Sequence, residues 1–287
     1  MADELKDIGV VLNGDDPLTD SVVAGTALRL AHHYGATLTG FEQADTELDS
    51  PSWRDDDDDG PYAAVDFCRL SKPRESERYL RSSAMAELRR EARDRGGGWH
   101  KGVRFRDLLT TIRCSDLVVA GSPLSEGRWL EPDSADIVVA AGRPVLLVPR
   151  KFAQRRPSQR KVGYRVLLAW NASAPSARAI HDGLPFMRLA EEVTLLFVNH
   201  DKDNQPAQHL LGLVAAHLNR HGVHVRQEVI SSIGASAAQA ILDRLTALDI
   251  NLLVMGAFSR SKLSETWFGG ASEDLFHQVG IPIVTAH

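Results

Sequence analysis

Residues 251–256 read NLLVMG, and residues 116–121 read DLVVAG. Each is a short aliphatic run that opens on Asn or Asp and closes on glycine. Neither alternates polar with apolar residues. A strand with that pattern is covered on both faces, as in a parallel sheet sheathed by helices. The pair belongs to a longer repeat. Residues 8–13 (IGVVLN) match 166–171 (VLLAWN), 36–41 (ATLTGF) match 192–197 (EVTLLF), and 143–148 (RPVLLV) match 281–286 (IPIVTA), all in the same order. A further strand is expected near 98–104 and again at 223–230. A repeat on this scale is the first feature to settle, because it dictates the architecture.

The segments between the runs have helical period. Residues 77–95 put Leu80, Ala84, Leu88 and Ala92 on one face and run into Gly96, Gly97 and Gly98. Residues 206–221 begin with Pro206 and stop before Gly222, and 235–247 are amphipathic. Ser173 is placed to cap a helix over about 175–190. Each copy therefore reads β-α-β-α-β-α-β-α-β. The expected fold class is α/β, with two tandem, doubly wound, five-stranded parallel-sheet domains of Rossmann-like type. They span residues 1–150 and 162–287, and the basic linker KFAQRRPSQRK (151–161) joins them.

Spacing locates an insertion. Asn13 and Asn171 lie 158 residues apart, whereas Gly121 and Gly256 lie 135 apart, so the first copy holds about 23 more. The surplus coincides with the acidic segment TELDSPSWRDDDDDGPYAAVDFCRLSKP, residues 46–73. Both copies end in apolar strands, 143–149 and 281–286. An apolar edge left open invites aggregation. These two strands are expected near a pseudo-twofold axis, paired within the chain as a pseudo-dimer or across a homodimer.

Composition narrows the function classes. The chain has 287 residues, 43% of them hydrophobic and 25% charged, with a formal net charge of −5. That supplies apolar material for a substantial core and argues against a nucleic-acid partner, which calls for clustered Lys and Arg. Two cysteines, Cys68 and Cys114, make no disulfide framework and no zinc ribbon. Cys114 is expected to be a core thiol at a strand edge. No apolar run reaches the length of a membrane span, and the first residues lack the pattern of a secretion signal, so a cytoplasmic location is expected, with no membrane partner.

In open α/β sheets, ligands bind beyond the carboxyl ends of the strands. There the second copy reads Gly256-Ala257-Phe258-Ser259, then nine residues that include Arg260 and Lys262, then Gly269-Gly270 before the last helix. Glycines let backbone N–H groups approach an anion, and a helix N-terminus favours it electrostatically. The competing reading is that Gly256 and Gly269 merely supply turn geometry. No Walker loop, GxGxxG fingerprint, nucleophile elbow or HExxH is present, so nothing nominates a catalytic residue.

With these residues in view, the chain resembles a tandem universal stress protein, most strongly over 162–287. Members of that family carry G-x-x-G, nine residues, and G-[ST] as an ATP-binding signature. Here Ser259 stands at the second glycine, Gly270 at the Ser/Thr, and Asn171 at the acidic residue that ends the first strand. The resemblance implies a cytoplasmic stress-response protein acting as a binding or regulatory module. It implies an adenine nucleotide in the second domain (ATP, ADP or AMP, with Mg²⁺ for ATP). Asn171 and Val198 would face base and ribose, and Gly256, Ser259, Arg260, Gly269 and Gly270 the phosphates. Two alternatives stay open: a nucleotide-free protein-interaction module with an unknown protein partner, and a slow ATPase. In the first copy the loop SPLSEGRWLEPDSAD after Gly121 lacks the signature and is rich in acids, so that copy is expected not to bind nucleotide.

Three weaker signals carry ordinary readings. Asp55, Asp57, Asp59 and Gly60 formally match a calcium loop, but five consecutive aspartates satisfy that pattern trivially. His217 and His221, four apart near a helix end, read as a solvated face. The acidic segment reads as a solvated loop. Deleting residues 46–60 is expected to change unfolding free energy by no more than about 1 kcal/mol, because loop length enters only through closure entropy. Urea denaturation of the deletion variant measures it, and loss of soluble protein would show that Trp53 or a neighbour fills a core.

Overall fold

A computed structural model of the chain describes residues 5–12, 16–43, 75–122, 134–155, 161–199, 203–232, 236–257 and 275–287. The acidic insertion lies outside them. The first half comprises β1 (Asp7–Leu12), α1 (Pro17–Tyr34), β2 (Thr37–Gln43), α2 (Glu75–Asp94), β3 (Trp99–Val103), α3 (Phe105–Ile112), β4 (Leu117–Gly121), α4 (Ser134–Ala140), β5 (Val145–Val148) and the short α5 (Arg150–Ala153). The second comprises β6 (Arg165–Trp170), α6 (Ala174–Met187), β7 (Glu192–Asn199), α7 (Gln205–Arg220), β8 (Arg226–Ser231), α8 (Ala237–Ala247), β9 (Leu252–Gly256) and β10 (Ile283–Ala286), with a helical turn over 275–278.

The five strands expected in each copy are present, but they form one sheet of ten, in the order β3-β2-β1-β4-β5-β10-β9-β6-β7-β8. Every neighbouring pair is parallel except β5 and β10, which run antiparallel. Their register explains why. Leu146 faces Val284, its own counterpart in the repeat, while Val145 faces Thr285 and Leu147 faces Ile283. A twofold axis through the Leu146–Val284 pair maps each strand onto the other, and twofold pairing of equivalent strands is necessarily antiparallel. Pairing of the last strands within the chain, expected from their apolar edges, is thus observed.

Alternate residues along each inner strand feed two cores, one per face. Ile8, Val10, Leu117, Val119, Leu146, Val284, Val254 and Leu168 pack beneath α1, α2, α5, α6 and α7. Val11, Val118, Val145, Leu147, Ile283, Leu253 and Leu167 pack beneath α3, α4 and α8. Both cores run through both halves, so packing divides the molecule by face rather than by repeat. The basic segment read as a linker begins differently from expectation: α5 buries Phe152 completely and Ala153 nearly so in the first core. Tyr34 at the end of α1 donates to the Pro185 carbonyl of α6 at 3.0 Å, a second tie between halves. Burial pushes its phenol up to about 12, so it stays a donor through the physiological range. Among the described residues no helix is long and apolar enough to cross a membrane.

The repeat extends to hydrogen bonds at strand starts. Asp116, just before β4, accepts from the Lys6 and Asp7 amides at 2.7 and 3.0 Å. Asn251, just before β9, accepts from the Tyr164 and Arg165 amides at 2.9 and 3.0 Å. The Asp/Asn that opens each quoted hexapeptide therefore sets the register between the first and fourth strands of its half. Cys114 departs from its reading. It is exposed, because it occupies the turn that closes α3, where its amide bonds to the Thr111 carbonyl, three residues ahead of β4.

The seam generates a prediction. Leu146→Ala leaves a void in the first core where the two halves meet and is expected to cost about 2–5 kcal/mol. The fully buried Thr285 hydroxyl has no partner among the described residues, so Thr285→Val is expected to add about 1 kcal/mol. Calorimetric unfolding checks both. It is expected to give one transition for the whole chain, because neither core belongs to one half.

Candidate functional site

In the second half the chain winds outward from β6 to β8, then returns to β9 and β10, so the direction reverses between β6 and β9. Helices on either side of such a switch point diverge and leave a crevice at the carboxyl ends of the strands. A small, shallow cleft lies there, lined by Ala169, Trp170, Asn171, Leu196, Val198, Ile241, Met255 and Gly256. Three adjacent strands end in it, and Ile241 closes it from α8. Most of the wall is aliphatic, with polar capacity from the Asn171 carboxamide and from backbone. Trp170 carries a buried Nε1 with no hydrogen-bond partner among the described residues.

The loop after β6 is built by its own sequence. Ala172 takes a left-handed φ of 59°, a conformation that costs a residue with a Cβ roughly 1–2 kcal/mol. Asn171 Oδ1 accepts from the Ser173 hydroxyl at 2.7 Å and from its amide at 3.2 Å. Ser173 caps α6 as expected, in a reciprocal box with Ser176, and Pro175 sits in the first turn.

Gly256 has a structural requirement of its own. A Cβ there would lie 2.4 Å from the Ser176 amide nitrogen and 2.8 Å from Pro175 Cβ. Only glycine lets the first turn of α6 settle against the end of β9. Gly121 repeats the arrangement in the first half, where a Cβ would meet Thr19 Cγ2 of α1 at 2.7 Å. The packing explanation therefore suffices for both glycines, whatever either half binds.

The corresponding corner of the first half has a different chemistry. Asp16 caps α1, accepting from the Leu18 amide at 3.2 Å and from the Thr19 hydroxyl, and pairs with Arg150 just after β5. Its carboxylate is buried. Ser134, at the start of α4, donates to the Gly121 carbonyl. A carboxylate thus caps α1, whereas the uncharged Ser173 caps the corresponding α6.

Of the site residues nominated by sequence, the structure brings Asn171, Val198 and Gly256 together in the cleft. Ser259, Arg260, Gly269 and Gly270 lie outside the described residues, as does Lys262. The nomination missed Ala169, Trp170, Leu196, Ile241 and Met255, of which Leu196, Ile241 and Met255 are buried core residues as well as cleft lining. One signal was available: Leu196 and Val198 alternate along β7 on the face shared with Ala169 and Met255 at neighbouring strand ends.

Solved structures resemble this arrangement along nearly its whole length. A universal stress protein from Archaeoglobus fulgidus superposes with a TM-score of 0.64 at 13% identity, over 98% of this chain and 97% of its own. A putative universal stress protein from Pseudomonas aeruginosa superposes at 0.56 and 15% identity, over 98% and 92%. This chain has the universal stress protein fold. The sequence itself matches no protein-family model and no curated protein. At such identities the likeness speaks for the fold alone, and in this chain that fold carries the Asn171 cleft at the strand ends of the second half.

The glycine analysis yields a test. Gly256→Ala and Gly121→Ala are each expected to destabilise the chain by about 1–3 kcal/mol through overpacking against a helix first turn. The Gly256 change is expected to cost more, because it meets backbone whereas Gly121 meets a side-chain methyl. Denaturant midpoints of the two variants measure this.

Proposed function

We propose that the second half binds an adenine nucleotide and that the chain is a regulatory binding protein of the stress response. The observation that carries the reading is the mostly apolar cleft at the switch point, where Asn171 and Val198 come together beside Gly256. Its aliphatic walls suit the faces of a purine ring, and its single side-chain carboxamide and the strand-end backbone suit base edge and ribose. The phosphates would then extend over the segment carrying Ser259, Arg260, Gly269 and Gly270, towards the N-terminus of the last helix, with Mg²⁺ when the ligand is ATP. In the first half, the loop after Gly121 lacks the signature and is rich in acids, which argues against an equivalent phosphate site.

A second reading has its own observation. Asn171 Oδ1 is engaged by Ser173, which satisfies that acceptor without a ligand. Together with Ser259 and Gly270 in place of the family's residues, this favours a nucleotide-free interaction module. Isothermal titration of the full chain with ATP, ADP and AMP separates the two. Under the nucleotide reading, micromolar binding is expected. Ala169→Leu, which fills the cleft, is expected to weaken it at least tenfold. Gly269→Asp sets a carboxylate against the phosphates and is expected to cost about 2–4 kcal/mol, roughly 30- to 1000-fold in affinity for ATP. Absence of heat with all three nucleotides at millimolar concentration would sink the nucleotide reading and leave the interaction module. Phosphate release above background would instead reinstate the slow ATPase.

A further inference from the structure

Each half closes its first strand on the residue before an asparagine. Leu12 ends β1 and Trp170 ends β6, at the same offset of 158 that relates Asn13 to Asn171. Leu12 is fully buried and offers nothing polar. Trp170 is half-buried. It packs against the first core with Phe197 as its cross-strand neighbour, and it lines the cleft. Its indole Nε1 is closed off from water and meets no acceptor among the described residues. The side-chain acceptor next to it in sequence, Asn171 Oδ1, is taken by Ser173. Other buried polar atoms also lack a partner, but of the described residues that carry one, only Trp170 lines the cleft.

We propose that the Trp170 indole N–H is a ligand-binding donor, and that in the nucleotide-bound chain it donates to an oxygen of the ribose. The inference rests on the nucleotide reading above and adds to it a named contact. A buried N–H without an acceptor is destabilising, and folded proteins avoid it. The architecture does not require one here, since leucine closes the equivalent strand of the first half. Phenylalanine would fill much of the same space with no donor to satisfy. A donor that costs stability in the free chain is accounted for when a ligand brings its acceptor.

The layout of the cleft points to the acceptor. Leu196, Ile241 and Met255 make its aliphatic wall, which suits the face of a base. On the nucleotide reading, the phosphates run beyond β9 towards the last helix. β6 lies between β7 and β9. At its end, between base and phosphates, the acceptors a nucleotide presents are the oxygens of its sugar. Nε1 is closed off in the free chain, so the indole turns about its side-chain torsions to reach one. Half-burial of the residue leaves it that freedom.

The test follows the indole proton itself. In proton–nitrogen correlation spectra of the nitrogen-labelled full chain, the Trp170 side-chain N–H is assigned by its loss in Trp170→Phe. Adenosine and AMP are expected to move that resonance downfield, as hydrogen bonding does. Adenine, which lacks the sugar, is not. In calorimetric titrations, Trp170→Phe and Trp170→Leu are each expected to weaken AMP about fivefold, the worth of one neutral hydrogen bond, and to leave adenine unchanged. Leucine is the residue the first half carries at this place, and melting curves without ligand show that both variants fold. AMP binding equal to wild type in Trp170→Phe would overturn the proposal while leaving the nucleotide reading intact. So would an equal loss of adenine and AMP, which marks a role in shape alone, or an indole resonance that AMP does not move downfield. No heat from the wild type with adenosine, AMP or adenine overturns the nucleotide reading itself, and this proposal with it.

Discussion

Backbone pairing between Val145–Leu147 and Ile283–Thr285 holds two halves of one sheet together, and the rest of the molecule is arranged around it. An apolar strand at a sheet edge must be covered. Here each copy's last strand covers the other's. The consequence reaches beyond three residue pairs. Once the strands join, Leu146 and Val284 lie on one face and Leu147 and Ile283 on the other, and the two helical layers each become continuous across the axis. Tyr34 then finds a partner that its own half does not offer, the Pro185 carbonyl of α6.

Against that symmetry, the two halves differ where chemistry would occur. Both first helices press on a glycine at the end of the fourth strand, and both first strands are clipped by an Asp or Asn before it. These features repeat because the fold needs them. The helix caps do not repeat. Asp16, buried and paired with Arg150, fills the first corner with charge. Ser173 and Asn171 leave the second corner uncharged beside an open cleft. A feature kept in both copies belongs to the architecture, whereas a feature present in one copy is where a ligand can be sought. By that criterion Gly256 alone is weak evidence for phosphate binding, and the Asn171–Val198 cleft is better evidence for a ligand.

Three ring contacts illustrate a related point, where His181 of α6 meets His217 and His221 at the end of α7. An i, i+4 pair on a helix is a common solvated face, and nothing in 206–221 distinguishes it. The third ring arrives from α6, some forty residues earlier, and only the lateral packing of two helices on one sheet face makes a constellation from residues that were separate.

The repeat, the continuous aliphatic runs and the helix stops determined the α/β class, the strand count, the position of the insertion and Ser173 as a cap, because buried strands and caps are written in local composition. Pairing of the last strands was also legible, since their lack of alternation demanded cover. Tertiary structure alone decided that ten strands form a single sheet, that packing follows faces rather than copies, and that part of the basic linker is core. It also moved Cys114 to the surface, since an offset of three residues from a buried strand suffices to leave it. Leu196, Ile241 and Met255 read as core and are core, and what the sequence could not show is that they come together with Ala169 beside Asn171, because only the winding of the whole sheet, reversing between β6 and β9, brings those chain segments to one place.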